Sequence, residues 1–251
     1  MTRVLSANLR RLSINALFYI CAAVVFFGTL LLTANGSLLF FGSDVSAETL
    51  INLAAIFPAG LNTIFISFFI GRDYSDKTIR NKITVGHSKN EIYAAYFITI
   101  AISTLIWILL WLSGGVIGAV ISGKEIETAS LLLDGAVVLL YNLSFASVLT
   151  AFCMITPSRA LSVVIHTQIP PIIMTFVMVN GSNLEIAKEF TAKEHIMKFF
   201  INAVPMGQWF FNSVVTDTVL YDKGVLILLS AAVTALFSAA GVLLFRAKEL
   251  K

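Results

Sequence analysis

The chain has 251 residues, of which 58% are hydrophobic and 12% charged, with a formal net charge of +3 and a mean hydropathy of +0.90. Soluble domains average about 45–50% apolar and about 25% charged residues, so this few charges cannot coat a water-soluble sphere. The composition excludes an ordinary soluble enzyme, a disordered chain, a disulfide scaffold and a nucleic-acid binder, and leaves a polytopic membrane protein.

A bilayer-crossing helix needs about 20 apolar residues. Uncharged runs of that length predict six spans, at about 14–34, 50–70, 92–121, 135–155, 160–179 and 225–245. They are continuous apolar blocks, unlike the ten-residue alternation of a membrane β-barrel. The expected fold is therefore an all-α polytopic membrane protein, a single transmembrane domain over residues 1–251. The spans take up most of the chain, so no ATPase domain of its own is expected.

Residues 1–13 set Val4, Leu5, Leu9 and Leu12 among Arg and Asn, which predicts an amphipathic interfacial helix on the membrane surface. The apolar run after Arg3, Arg10 and Arg11 is too long for a signal peptide and lacks an A-x-A site, so span 1 is expected to stay uncleaved. Cys21 and Cys153 lie inside spans and read as small buried hydrophobes. Asn35-Gly36 signals a turn. In span 2, Asn52 and Asn62 flank Pro58.

The loop 71–91 is organised. Asp73 or Ser75 can cap a short helix at about 75–85, and Gly86 can stop it. Ile79 and Ile83 share one face, and Lys77, Arg80 and Lys82 occupy the rest. Ser88 to Glu91 then forms a capping-box pattern that opens span 3. Simple adhesion to lipid head groups does not need defined caps and stops, so this helix is expected to dock a partner.

In span 3, Gly114 and Gly118 form a G-x-x-x-G pair that lets two helices approach closely. Gly118 to Lys124 mimics a phosphate-binding loop, but Glu125 stands where Ser or Thr must hold Mg²⁺. Asp134 is expected to be a solvated flank of span 4. Thr156 and Pro157 suit the N-cap and first position of span 5, where His166 and Gln168 precede Pro170-Pro171. Further on, 182–185 and 191–194 both read as capping boxes. The apolar run 196–215, broken at Pro205 and Gly207, predicts an outer re-entrant helical hairpin at about 183–216.

Charge sets orientation. With six spans, twelve of the 17 basic residues fall on the side that holds both termini, and ten of the 14 acids on the other. The positive-inside rule makes both termini cytoplasmic. No serine-protease or H-E-x-x-H motif occurs, and His87, His166 and His195 are scattered, so no catalytic or metal site is expected. The polar and aromatic residues within spans 2 and 5 are candidate walls of a pathway: Asn52, Pro58, Asn62, Phe65, Phe69, His166, Gln168, Pro170 and Phe176, with Phe57 beside them. The alternative is that the polar ones only bond between helices or satisfy proline-freed carbonyls.

The topology and the stretch Gly71-Arg72-Asp73-Tyr74-Ser75-Asp76-Lys77-Thr78-Ile79-Arg80-Asn81-Lys82 resemble the ABC-2-type permease subunits of ABC exporters. There an acidic residue and a turn precede a cytoplasmic coupling helix. His87-Ser88-Lys89 and Val204-Pro205-Met206-Gly207-Gln208 resemble further family segments, while Lys77 and Gly86 depart from the usual pattern. The resemblance implies a homodimer or heterodimer of permeases around one pathway, with two ATPase subunits beneath that bind ATP and Mg²⁺. No cofactor is expected in this chain. It implies docking through Asp73, Tyr74, Lys77, Ile79, Arg80, Lys82 and Ile83, with the two isoleucines filling a cleft in the ATPase. Ile79→Asp or Arg80→Glu is then expected to abolish transport and spare the fold. Spans 2 and 5 are expected to meet across the dimer axis. The cargo is expected to be hydrophobic or amphipathic, as in bacterial peptide, bacteriocin or amphipathic-toxin exporters of the cytoplasmic membrane. The alternative is a stand-alone secondary carrier or channel, for which His166 is the one candidate proton site.

Overall fold

The computed structural model describes residues 1–36, 45–156, 159–186, 191–214 and 219–248, apart from the side chains of 159, 160, 162, 165–167, 169, 185, 186, 213 and 214. The elements are α1 (Thr2–Ser13), α2 (Ala16–Gly36), α3 (Ala47–Ala54), α4 (Ile56–Ser75), α5 (Thr78–Thr84), α6 (Lys89–Ile121), α7 (Thr128–Ile155), α8 (Arg159–Ile186), α9 (Ala192–Ala203), α10 (Pro205–Val214) and α11 (Lys223–Ala247). Among the described residues there is no strand. Five segments are long and apolar enough to cross a membrane: Ala16–Gly36, Ala47–Ser75, Lys89–Ile121, Thr128–Ile155 and Lys223–Ala247. The sixth expected span, 160–179, lies within α8.

Several boundaries differ from the sequence expectation. Asn35 and Gly36 close α2 as helix, not turn. Residues 182–185 continue α8 and open no new helix. The box at Thr191 does form, with the Thr191 N–H donating to Glu194 Oε2 at 2.5 Å. The expected break in the 196–215 run falls at Val204, between α9 and α10. The start proposed for span 5 at Pro157 lies outside the described residues.

Close packing depends on glycine at one place above all. A Cβ on Gly114 would lie 2.6 Å from the Phe26 carbonyl oxygen of α2, and one on Gly118 would lie 2.7 Å from that of Leu30. Any larger residue would push α2 off α6, so the G-x-x-x-G pair sets this helix pair, as expected. α7 packs along α11. Between these pairs Trp107 of α6 stacks on Phe18 at 5.9 Å and meets Phe65 edge-on at 5.3 Å between ring centroids.

Pro58 explains why the second span is two helices. Proline cannot donate a hydrogen bond, and its ring crowds the carbonyl four residues back. The chain breaks at Ala55, whose N–H turns to Asn52 O at 3.1 Å. Two indoles take up carbonyls at this break: Trp111 Nε1 donates to Ile51 O at 2.9 Å, and Trp209 Nε1 to Leu53 O at 3.3 Å. Beyond the break α4 is largely enclosed. Up to Arg72 its exposed residues form one stripe, Ile56, Ile64, Phe68 and Arg72, with the half-buried Gly60 in the same four-residue row.

Candidate functional site

The site forms where α4 turns into α5. Helix α4 runs through Asp73 to Ser75, so these residues belong to its last turn and do not cap α5 as the sequence suggested. The turn is made by Lys77, in the left-handed region with φ 55°. Gly86 ends the short helix at φ 99°, with its N–H on Ile83 O at 2.9 Å and the His87 N–H on Lys82 O at 3.1 Å. This is a glycine stop that satisfies two terminal carbonyls. Ser88 then caps α6, accepting from the Glu91 N–H at 3.3 Å.

Asp73 is 3% exposed and joins four helices. Arg11 of α1 pairs with its Oδ1 and also donates to Phe69 O at 2.8 Å. Tyr96 of α6 donates its hydroxyl hydrogen to Oδ2. Lys82 of α5 stands 3.6 Å from the same oxygen, and its ammonium donates to Tyr96 Oη and to Asn8 Oδ1 of α1, each at 3.0 Å. The Arg11 guanidinium lies 3.7 Å from the centre of the Phe69 ring. A buried carboxylate survives because cations and hydroxyl donors replace its lost hydration. Burial pushes the Lys82 ammonium below the usual lysine range and the neighbouring Arg11 adds to this, outweighing the opposite pull of Asp73.

Helix α1 is part of this node. Val4, Asn8 and Leu12 are buried on the side that meets α6. The apolar face expected to rest on the membrane is thus largely used inside the protein, with Leu5 and Leu9 half-buried. A second set of contacts ties down the end of α11. Lys248 donates to Tyr74 Oη at 3.1 Å and to Met154 O at 3.3 Å, and Tyr74 donates to Met154 O of α7. Lys89 donates to the carbonyls of Arg246 and Lys248 at 2.8 and 2.6 Å. Burial, with Lys89 nearby, lowers the Lys248 pKa to about 8.

The seven expected docking residues therefore divide. Asp73, Tyr74 and Lys82 are engaged within the chain, and Ile79 is buried in the core at 1% exposure. Ile83 is half-buried against that core. Lys77 and Arg80 face outward, with Asn81 and Val85 beside them.

The expected pathway residues divide as well. Asn52, Pro58, Asn62, Phe65 and Phe69 are buried inside the protomer. Asn62 Oδ1 accepts from Thr104 Oγ1 at 3.2 Å. Gln168 and Phe176 are exposed on α8, Pro170 is half-buried, and the side chain of His166 lies outside those described. Helix α4 packs on α8 within one chain.

Sequence reasoning placed Asp134 in solvent, and the structure buries it at 3% exposure. Lys223 of α11 pairs with its Oδ1 at 2.5 Å, and Asn52 Nδ2 of α3 donates to its Oδ2 at 3.3 Å. Nearby, Asn202 and Gln208 tie α9 and α10 to the start of α11. Asn202 Nδ2 donates to Val219 O at 2.8 Å, and Ser230 Oγ donates to Gln208 Oε1 at 2.9 Å. Arg11, Asn8 and Tyr96 were missed from sequence. One signal for them existed: Asn8 sits between Val4 and Leu12 on the apolar face of α1, where a polar residue needs an internal partner.

A family model described as ABC-2 family transporter protein matches residues 8–182. This interval takes in half of α1, all of α2 to α7 and most of α8. No curated protein matches the chain.

Proposed function

Because the chain belongs to the ABC-2 transporter family and is a membrane-embedded subunit of an ABC transporter, we propose that a separate ATPase seats on the outward side of α5 and drives it. The observation that carries this reading is the division of α5 into two sides. Its inner side is fixed by Ile79 and Lys82, while Lys77 and Arg80 are exposed on the other side. Asp73 and Tyr74 act behind the docking face. They hold α5 to α1, α4, α6 and α7, so a push on α5 reaches the spans through short polar contacts. Ile83 lines the edge of the face.

In this reading ATP and Mg²⁺ are held by the ATPase, in two copies, beneath a permease homodimer or heterodimer. The α5 end is cytoplasmic, as are both termini, in the bacterial plasma membrane. The cargo is a hydrophobic or amphipathic peptide or small lipophilic molecule, carried outward. Its path runs along the exposed face of α8 that carries Gln168 and Phe176. Asn62, Phe65 and Phe69 brace α4 from behind.

The test is ATP-dependent export in vesicles that contain this chain and its co-purified ATPase. Arg80→Glu puts a like or unpaired charge at a docking surface, which costs several kcal/mol. Export should fall at least about tenfold with normal yield of the membrane protein. Undiminished export by Arg80→Glu would refute docking on this face. Transport without any ATPase would favour the carrier reading instead.

A further inference from the structure

A cavity of about 680 Å³ opens beside the Asp73 node, between the α1–α2 link and the α4–α5 turn. Its walls are of two kinds. Ile14, Leu17, Phe68 and Phe69 form an apolar part, and Arg72 and Asp76 form a charged rim. We propose that this cavity binds the head group of a zwitterionic phospholipid with a primary ammonium, a phosphoethanolamine, whose acyl chain lies along the open stripe of α4. The proposal stands apart from the ATPase reading, because binding requires this chain alone.

Three observations lead to this ligand. First, the charges are balanced. Arg11 and Asp73 are committed to one another and to their helices. Among the described residues the Arg72 and Asp76 side chains pair with each other, Nε to Oδ2 at 3.3 Å, and are 73% and 55% exposed. An ion pair this exposed contributes little to stability, so it opens at small cost to admit a phosphate on Arg72 and an ammonium on Asp76. The guanidinium fork suits a phosphate, and a carboxylate acceptor suits a group that carries N–H donors.

Second, the sign balance argues against a purely anionic head group, which would meet Asp76. A choline head group would bring a cation to Asp76 without an N–H to donate.

Third, an exposed stripe leads away from the cavity along α4. Phe68, Ile64 and Gly60 follow Arg72 up one face of α4, and nothing lies within 4 Å of the Cβ position at Gly60. At 1.5 Å per residue this stripe rises about 18 Å, slightly more than half of the roughly 30 Å hydrocarbon core. Ile14, 76% exposed, and Phe68, 36% exposed, mark the mouth.

The experiment is native mass spectrometry of the purified chain, with dioleoyl phosphatidylethanolamine, phosphatidylcholine or phosphatidylglycerol added in turn. Phosphatidylethanolamine should be retained about fivefold better than the other two, the scale of one partly exposed charged contact. Asp76→Asn, at an exposed position, should erase its advantage over phosphatidylcholine. Gly60→Leu, which puts a side chain into the open space on the stripe, should lower retention of all three lipids without changing their order. Equal retention of the three, best retention of phosphatidylglycerol, or a preference that survives Asp76→Asn would each overturn the proposal. Retention untouched by Gly60→Leu would overturn the acyl path.

Discussion

The two ends of the molecule each bury one aspartate, and they use it differently. At the α5 end Asp73 gathers Arg11, Lys82 and Tyr96 from three other helices. At the α9–α10 end Asp134 meets one lysine and one amide, from α11 and α3. Asp73 thus has two cations beside it, and Asp134 has one. The cations also differ in access to water: the Lys82 side chain is 15% exposed and that of Lys223 is 34% exposed. The first node ties the short helices α1 and α5 to the long α4 and α6. The second braces the long α7 and α11, with one amide from the short α3. A helix as short as α5 is not stable alone and is fixed by Ile79 in the core and Lys82 beside Asp73.

This contrast predicts unequal costs. Asp73→Ala leaves Arg11 and Lys82 facing each other in a poorly hydrated space. Breaking a buried ion pair in this way costs about 3–5 kcal/mol. The thermal midpoint and the yield of folded protein should both fall sharply, and trypsin should cut faster at Lys77 and Arg80 as α5 comes loose. Asp134→Ala should cost less, about 1–3 kcal/mol, because Lys223 can turn toward water. Its effect should leave proteolysis at Lys77 and Arg80 unchanged. Equal losses in the two variants would break the comparison.

The same contrast marks what could be read from the sequence. Spans were legible because lipid demands long apolar runs. The glycine contact of α2 with α6, the stop at Gly86 and the caps at Ser88 and Thr191 were legible because each is a local rule. The inward side of α5 was not. Ile79 and Ile83 share a face and could fill a partner's cleft or the protein's own core, and Ile79 fills the core. Ile79→Asp would therefore bury a carboxylate and damage the fold, so Arg80→Glu is the cleaner probe of docking. Within the spans the difficulty is more general. Lipid and protein interior are both apolar, so Phe65, at 0% exposure, and Phe68, at 36%, look alike in sequence. Pairing was equally hidden. Arg11 and Asp73 are 62 residues apart, and no periodicity connects them.

The smallest expected effect comes from proton binding, and it too should separate the ends. At the α5 end burial lowers the proton affinity of Lys82 and Lys248, and neighbouring Arg11 and Lys89 add to this. Lys248 has its pKa lowered to about 8 in the folded protein, against about 10.4 for a free lysine. Between those values the unfolded chain keeps the proton and the folded chain has released it. Stability then rises with pH across this window, and below about pH 8 both states hold the proton and Lys248 contributes no slope. The thermal midpoint of the purified protein should climb as pH is raised from 8 to 10. Lys248→Met keeps an apolar stem over the Tyr74 ring and removes the titrating group, so it should flatten that climb. A slope that persists unchanged in Lys248→Met would place the titrating group elsewhere and remove the α5 end as the source of the climb.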